Sequence, residues 1–126
     1  MSIHYQNPNP NKRAFSNSVC VDGIIYTHGQ LGVSSRESAE NFVEQANKAV
    51  DLLLAELKEY GAGFNDIFKV NVYLTNKANL LEEYLPWYQE RFESNPNPIR
   101  TTTIVEAISP NPNACIKIEF VAKKPE

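Results

Sequence analysis

The run that most narrows the fold is a stretch of apolar residues at helical spacing, set between two β-type stretches. From Ser38 to Tyr60 the apolar side chains are Phe42, Val43, Ala46, Ala49, Val50, Leu53, Leu54, Leu57 and Tyr60. The i, i+3, i+4, i+7 spacing lines them up on one stripe of an α-helix. Ser38 is expected to cap its start, and Gly61 to close it in a left-handed conformation. Glu44, Asn47, Lys48, Asp51 and Lys58 fall on the opposite face. An amphipathic helix must lay its stripe on another apolar surface, and strands on both sides of it supply a sheet.

The strands are legible from alternation and punctuation. Ser18–Val21 and Ile24–His28 are short β-type runs separated by Asp22-Gly23, a two-residue hairpin signal. Gly29 and Gly32 then break the pattern. Phe68, Val70, Val72 and Leu74 alternate with Lys69, Asn71, Tyr73 and Thr75, which predicts a half-buried strand. Asn79 to Ser94 reads as a second helix whose regular part begins at Pro86, with Tyr88 and Phe92 on one face. A β-branched run follows over Thr101–Val105, then a loop through Ser109-Pro110-Asn111-Pro112. The last strand spans Cys115–Ala122, with Ile116, Ile118, Phe120 and Ala122 on one face and Cys115, Lys117, Glu119 and Val121 on the other. Residues 1–14 are polar and aperiodic and read as an extended N-terminal arm. The order is β-β-α-β-α-β-β: an α+β domain with both helices on one face of a mixed sheet and a right-handed crossover through the long helix. Val105, Val121 and Cys115 lie off the helix-covered face and weakly favour a partner over solvent.

Composition sets the outer bounds. A chain of 126 residues suits a single domain, 1–126. With 42% hydrophobic and 21% charged residues it is no disordered chain. A net charge of −3, with no basic aromatic groove, argues against nucleic acid as partner. No apolar run reaches the roughly 18–20 residues of a membrane span. Met1–Pro10 is polar and Pro-rich, unlike a signal peptide. Two cysteines, Cys20 and Cys115, are too few for a disulfide framework, so a cytoplasmic setting and two small buried strand thiols are expected. Five of the eight prolines follow asparagine. Asn-Pro-Asn-Pro occurs at 7–10 and 95–98, with a partial copy at Asn111-Pro112-Asn113, and all three read as turns. The second copy leads directly into Arg100.

The common site motifs are absent. The five glycines form neither a phosphate loop nor a dinucleotide fingerprint. His4 and His28 have no metal-ligand spacing, and no metal site is expected. A Cys–His pair through Cys20 or Cys115 with His28 lacks an evident third group.

Four segments in order carry a resemblance. Ile25-Tyr26-Thr27-His28-Gly29-Gln30-Leu31-Gly32 is similar to the "TSGQ" hairpin end of the RidA/YjgF family. Phe68-Lys69-Val70-Asn71-Val72-Tyr73-Leu74 matches a strand of that family, and Pro98-Ile99-Arg100-Thr101-Thr102-Thr103 resembles its "P-A-R-S/T" signature. Ile116-Lys117-Ile118-Glu119-Phe120-Val121-Ala122 resembles its C-terminal "I-E-I-E-A-I-A" strand. Order and spacing agree from about residue 15 to residue 122. The resemblance implies a chorismate-mutase-like (YjgF-like) fold and a homotrimer whose three sheets close into a barrel-like core, with ligand clefts between subunits. It also implies hydrolysis of 2-imino acids such as 2-iminopropanoate and 2-iminobutanoate to 2-oxo acids and ammonia, with no metal or organic cofactor.

Carried over residue by residue, the resemblance makes Arg100 the clamp for the substrate carboxylate. A planar guanidinium can hold both carboxylate oxygens at once. On residue type alone, a salt bridge at a strand start is the plainer reading of Arg100. Thr102 falls where a backbone N–H helps hold the carboxylate, and Gly29 where backbone approaches the ligand. Lys117 stands in place of a water-holding glutamate, and a protonated lysine neither accepts a hydrogen bond nor acts as a base. A second carboxylate on the ligand is one natural partner for it. Glu119 matches the family's second glutamate and can neutralise Lys117. His28 replaces a small hydroxyl residue and offers acid–base chemistry near neutrality. Phe15 replaces a tyrosine and keeps an apolar wall without the hydroxyl.

Two readings follow. In the first the protein is a deaminase of small 2-imino acids, with Arg100, Lys117 and Glu119 at the reacting centre and Phe15, His28, Gly29 and Thr102 around the substrate. In the second the same cleft binds a small carboxylate without this chemistry, or serves a deaminase of different specificity, because of Lys117.

Overall fold

The long amphipathic stripe forms helix α1, Phe42–Lys58, and its start corrects the expected cap. Ser38 lies outside the residues the computed structural model describes, which are 2–6, 15–33, 40–75, 80–93, 96–108 and 111–126. The cap is Asn41. Its Oδ1 accepts from the Glu44 N–H at 2.9 Å, and Glu44 Oε1 accepts from the Asn41 N–H at 3.0 Å. This reciprocal box satisfies two of the helix's first orphan donors. At the other end Gly61 takes φ +76°, as expected. The Gly61 N–H donates to the Lys58 carbonyl and the Ala62 N–H to that of Leu57, closing the helix in a Schellman motif.

Among the described residues, seven strands form one sheet. Strands β2 (Ser18–Val21) and β3 (Ile24–Thr27) make the expected hairpin, with Asp22 at φ 50° and Gly23 at φ 85° in the turn. Part of the N-terminal arm adds a four-residue strand, β1 (Ile3–Gln6), which pairs with β2. A two-residue strand, β4 (Gln30–Leu31), also escapes pattern reading. The rest are β5 (Ile67–Thr75), β6 (Ile99–Val105) and β7 (Ile116–Lys123). The order is β1-β2-β3-β7-β5-β6, with β4 also on β7. Only β5 and β6 run parallel. They are joined through helix α2, Leu80–Phe92.

Two further expectations are corrected. Pro86 does not begin the regular part of α2 but sits inside it. Its missing N–H removes a bond to the Glu82 carbonyl, and Glu82 and Pro86 are both solvent-exposed, so water can substitute. Phe68 is not on the buried face of β5. The register shifts between Ile67 and Lys69, so Ile67 takes the buried place at 2% exposure and Phe68 turns outward at 44%.

The core lies between the two helices and one sheet face. Val70, Val72 and Leu74 of β5 and Ile116, Ile118, Phe120 and Ala122 of β7 pack under Ala46, Ala49, Val50, Leu53 and Leu57 of α1. Cys20 and Cys115 are buried there as free thiols. Cys115 therefore joins the core and does not share the open face of β7, because it precedes the strand's regular alternation. The buried Gln45 side chain staples α1 to the turn at Asn111–Asn113. Its Nε2 donates to the carbonyls of Glu40 and Asn113, and its Oε1 accepts from the Cys115 N–H at 3.0 Å. Gly32 passes so close to the Gln45 backbone that a Cβ there would collide with it. Among the described residues no helix is long and apolar enough to cross a membrane.

Candidate functional site

Alternation along β5, β6 and β7 decides which site residues can meet. Val70 is wholly buried under the helices and pairs across to Arg100 on β6 and Phe120 on β7. Directly paired residues share a face. Arg100 and Thr102 therefore lie on the helix side. Tyr73 pairs with Lys117, and Asn71 with Glu119, so those four side chains lie on the open side. Arg100 and Lys117 leave the sheet on opposite faces of one chain.

Arg100 sits on the edge strand, where the helix layer ends. Its guanidinium carbon lies 4.6 Å from the Tyr88 ring centre and 5.5 Å from that of Tyr84. Both tyrosines come from α2, four residues apart and hence on one helix face. A cation over an aromatic face is attracted by the ring quadrupole. The one ion pair among the described residues joins Arg91 to Asp51 at 2.6 Å. The Arg100 guanidinium is thus held in place yet keeps its donors for an anion. Tyr84 OH and Thr102 Oγ1 share a hydrogen bond of 2.7 Å that ties α2 to β6. Tyr88 stacks on Phe92 at 4.2 Å between ring centres, as their shared face predicts.

Burial is the main reason both phenols resist ionisation. It pushes Tyr88 up to about 12, reinforced by Tyr84 and opposed by Arg100. It raises Tyr84 as well, against the hydrogen bond to Thr102 and the nearby Arg100 charge. The Tyr88 hydroxyl is buried with no hydrogen-bond partner among the described residues. Such a deficit costs about 1–3 kcal/mol. Beside Arg100 lies a groove of about 690 Å³ between α2 and the approach to β6, with Asn97 and Pro98 of the second Asn-Pro copy in its wall.

The open face gathers Phe15, His28, Gly29, Lys117 and Glu119. The Phe15 and His28 rings lie 5.4 Å apart. A Cβ on Gly29 would stand 2.8 Å from Lys117 Cδ, so the lysine stem runs through the space that glycine leaves. Lys117 Nζ lies 5.1 Å from the Tyr73 ring centre. Glu119 Oε1 accepts from Asn71 Nδ2 at 2.9 Å and from Tyr73 OH at 3.2 Å. Desolvation, then the Glu119 charge, raises the Tyr73 pKa, so its hydroxyl remains a donor.

Sequence reasoning named Arg100, Thr102, Phe15, His28, Gly29, Lys117 and Glu119 as site candidates, and missed Tyr84, Tyr88 and Phe92 beside Arg100 and Tyr73 and Asn71 beside Glu119. The spacing of Tyr84 and Tyr88 was the available signal for the aromatic floor. The Cys–His idea loses ground, because both thiols are core residues and burial raises the Cys115 thiol further. Among the described residues no three His, Cys, Asp or Glu side chains gather as a metal site.

Comparison with known proteins bears on the fold over nearly the whole chain. A family model described as endoribonuclease L-PSP matches residues 6–124. A "RutC family protein" of Aquifex aeolicus (strain VF5) is 30% identical over 113 residues, covering 87% of this chain and 88% of that one. Among solved structures, a protein of the conserved Rid family from Yersinia pestis is 21% identical, with a TM-score of 0.81 over 97% of this chain and 99% of the other. A member of the YjgF/YER057c/UK114 family from Mycobacterium tuberculosis is 18% identical, with a TM-score of 0.80 over the same shares of both chains. At these identities the two structures speak for the fold.

Proposed function

The chain belongs to the endoribonuclease L-PSP family, the RidA/YjgF group, and on that premise we propose that it hydrolyses small 2-imino acids to 2-oxo acids and ammonia. The observation that carries the reading is Arg100, a guanidinium seated on two tyrosine rings, outside any ion pair among the described residues, at the mouth of a groove. In the proposed reaction Arg100 holds the substrate carboxylate by two parallel hydrogen bonds, with backbone N–H near Thr102 assisting. Water adds to the C=N carbon, a proton moves to nitrogen, and the carbinolamine collapses to the 2-oxo acid and ammonia. An iminium is already electrophilic, so positioning supplies much of the acceleration.

The working unit in this reading is a cytoplasmic homotrimer. The open sheet face supports it, with Tyr26 46% exposed and Val19 and Val121 beside it half-buried. Two further copies would cover that face, and the Phe15, His28, Gly29, Lys117 and Glu119 cluster of one copy would meet the Arg100 edge of another. No organic cofactor or metal enters the reaction. His28 is then the group in the cluster suited to carry a proton near neutrality. Lys117 contributes charge, and Glu119 is already engaged with Asn71 and Tyr73.

The test is ammonia release when an amino-acid oxidase generates 2-iminobutanoate in the presence of the protein. Release well above the buffer rate, lost in Arg100→Ala, is expected. A rate equal to buffer overturns the proposal. The engagement of Glu119 and the cationic Lys117 favour one second reading, a binding protein for small carboxylates without hydrolysis. Thermal stabilisation by 2-oxo acids, with no ammonia release, would select it.

A further inference from the structure

The groove beside Arg100 is uneven in chemistry. Leu85, Phe92, Pro98 and the Tyr88 ring give it an apolar wall, while Glu93 is its acidic member. Arg100 is the one cation lining it among the described residues. At about 690 Å³ the groove is also far roomier than a three- or four-carbon acid requires. Volumes of about 300–1,000 Å³ are typical of sites for much larger ligands. Leu85 is 41% exposed, an apolar side chain left facing the groove and solvent.

We infer that this groove receives the substrate's side chain, and that the preferred substrate is a 2-imino monocarboxylate with an apolar chain longer than two carbons. The inference rests on the Arg100 clamp proposed above. With the carboxylate on the guanidinium, a hydrocarbon tail lies along Leu85, Phe92 and Pro98 and leaves water. Each methylene so buried is worth about fourfold in affinity. A second carboxylate would enter the same groove beside Glu93, where this chain's described lining residues offer no cation other than Arg100. Chain length and net charge are therefore read by the same wall, on the α2 side of Arg100.

Calorimetric titration of the full chain with the stable 2-oxo acids tests this. Pyruvate, 2-oxobutanoate, 4-methyl-2-oxopentanoate and 2-oxoglutarate form the series. The branched acid is expected to bind at least tenfold tighter than pyruvate, and 2-oxoglutarate several-fold weaker than the branched acid. Leu85→Trp fills the groove from an exposed position. It should abolish the chain-length preference, so that the branched acid binds no tighter than pyruvate. Glu93→Gln should raise the relative affinity of 2-oxoglutarate several-fold. A flat series, with Arg100→Gln still abolishing binding, overturns the groove and leaves the clamp standing. Binding that survives Arg100→Gln overturns the clamp itself.

Discussion

On the helix-covered side of the sheet, β5 and β7 present Val70, Val72, Leu74, Ile116, Ile118, Phe120 and Ala122, none more than 1% exposed. The residues between them on the same strands, Lys69, Asn71, Tyr73, Lys117, Glu119 and Val121, are all half-buried. The first face is held by close packing, in which every methylene counts. The second is held by polar groups that satisfy one another, as Asn71 and Tyr73 do Glu119. A face of that kind can meet water, or another protein surface that brings a partner for the Lys117 charge. Arg100 is the exception that defines the site. It belongs to the packed side, but at the edge strand, where aromatic faces replace carboxylates as its support.

The contrast can be broken most forcibly at Phe120, which is fully buried. Phe120→Ala should cost about 3–5 kcal/mol in urea unfolding, and a loss below 1 kcal/mol would mean the covered face is not the core. Next comes Arg100→Gln, which should weaken 2-oxobutanoate binding by about 30- to 100-fold, as for loss of a charge-assisted pair. Lys117→Gln on the opposite face should change it less than about fivefold. The reverse ranking in calorimetry would move the anion clamp to the open face. Gly29→Ala should cost about 1–2 kcal/mol by pushing on the Lys117 stem. In a double-mutant cycle with Lys117→Ala that cost should largely vanish.

The smallest effect is expected at Tyr88→Phe, which removes a buried hydroxyl without a partner among the described residues and keeps the ring under Arg100. Thermal stability at neutral pH should hold or rise by up to about 1 kcal/mol. The variant also has a pH signature. Folding pushes the Tyr88 phenol from 10 up to about 12. The native state thus keeps a proton that the unfolded chain gives up in that interval. Stability therefore falls as pH rises from 10 towards 12, and in Tyr88→Phe the fall should be shallower. An unchanged alkaline limb would show that the ring is not buried as described.

How far the fold was legible follows from where its signals lie. The α1 stripe is carried by nine local positions, so its helix was plain from spacing. Its start was misread because Ser38 and Asn41 both suit a cap. The box partner decides between them: three residues after Asn41 comes Glu44, whereas three after Ser38 comes Asn41 itself. Phe68 was misassigned because strict alternation cannot foresee a bulge, which is set by pairing with β7. Strands β4 and β1 have two and four residues, too few for a period to stand out. At the site, Arg100 stood out through the segments around it. Its face did not, because Ile99–Val105 alternates in no clear polar pattern. Only the register with Val70 puts it over the tyrosines.

Strand β6 lies at the end of the sheet and carries Ile99 at 65% and Ile104 at 50% exposure. An outer strand leaves a row of backbone donors and acceptors ready to template another extended chain. Here that ribbon is rich in threonine, isoleucine and valine, the residue types most at home in added strands. Solubility and anion capture therefore draw on the same seven residues. Charging the edge to prevent self-association would act within a few ångströms of Arg100, so a more soluble variant is best sought at the β1 edge, on the far side of the sheet.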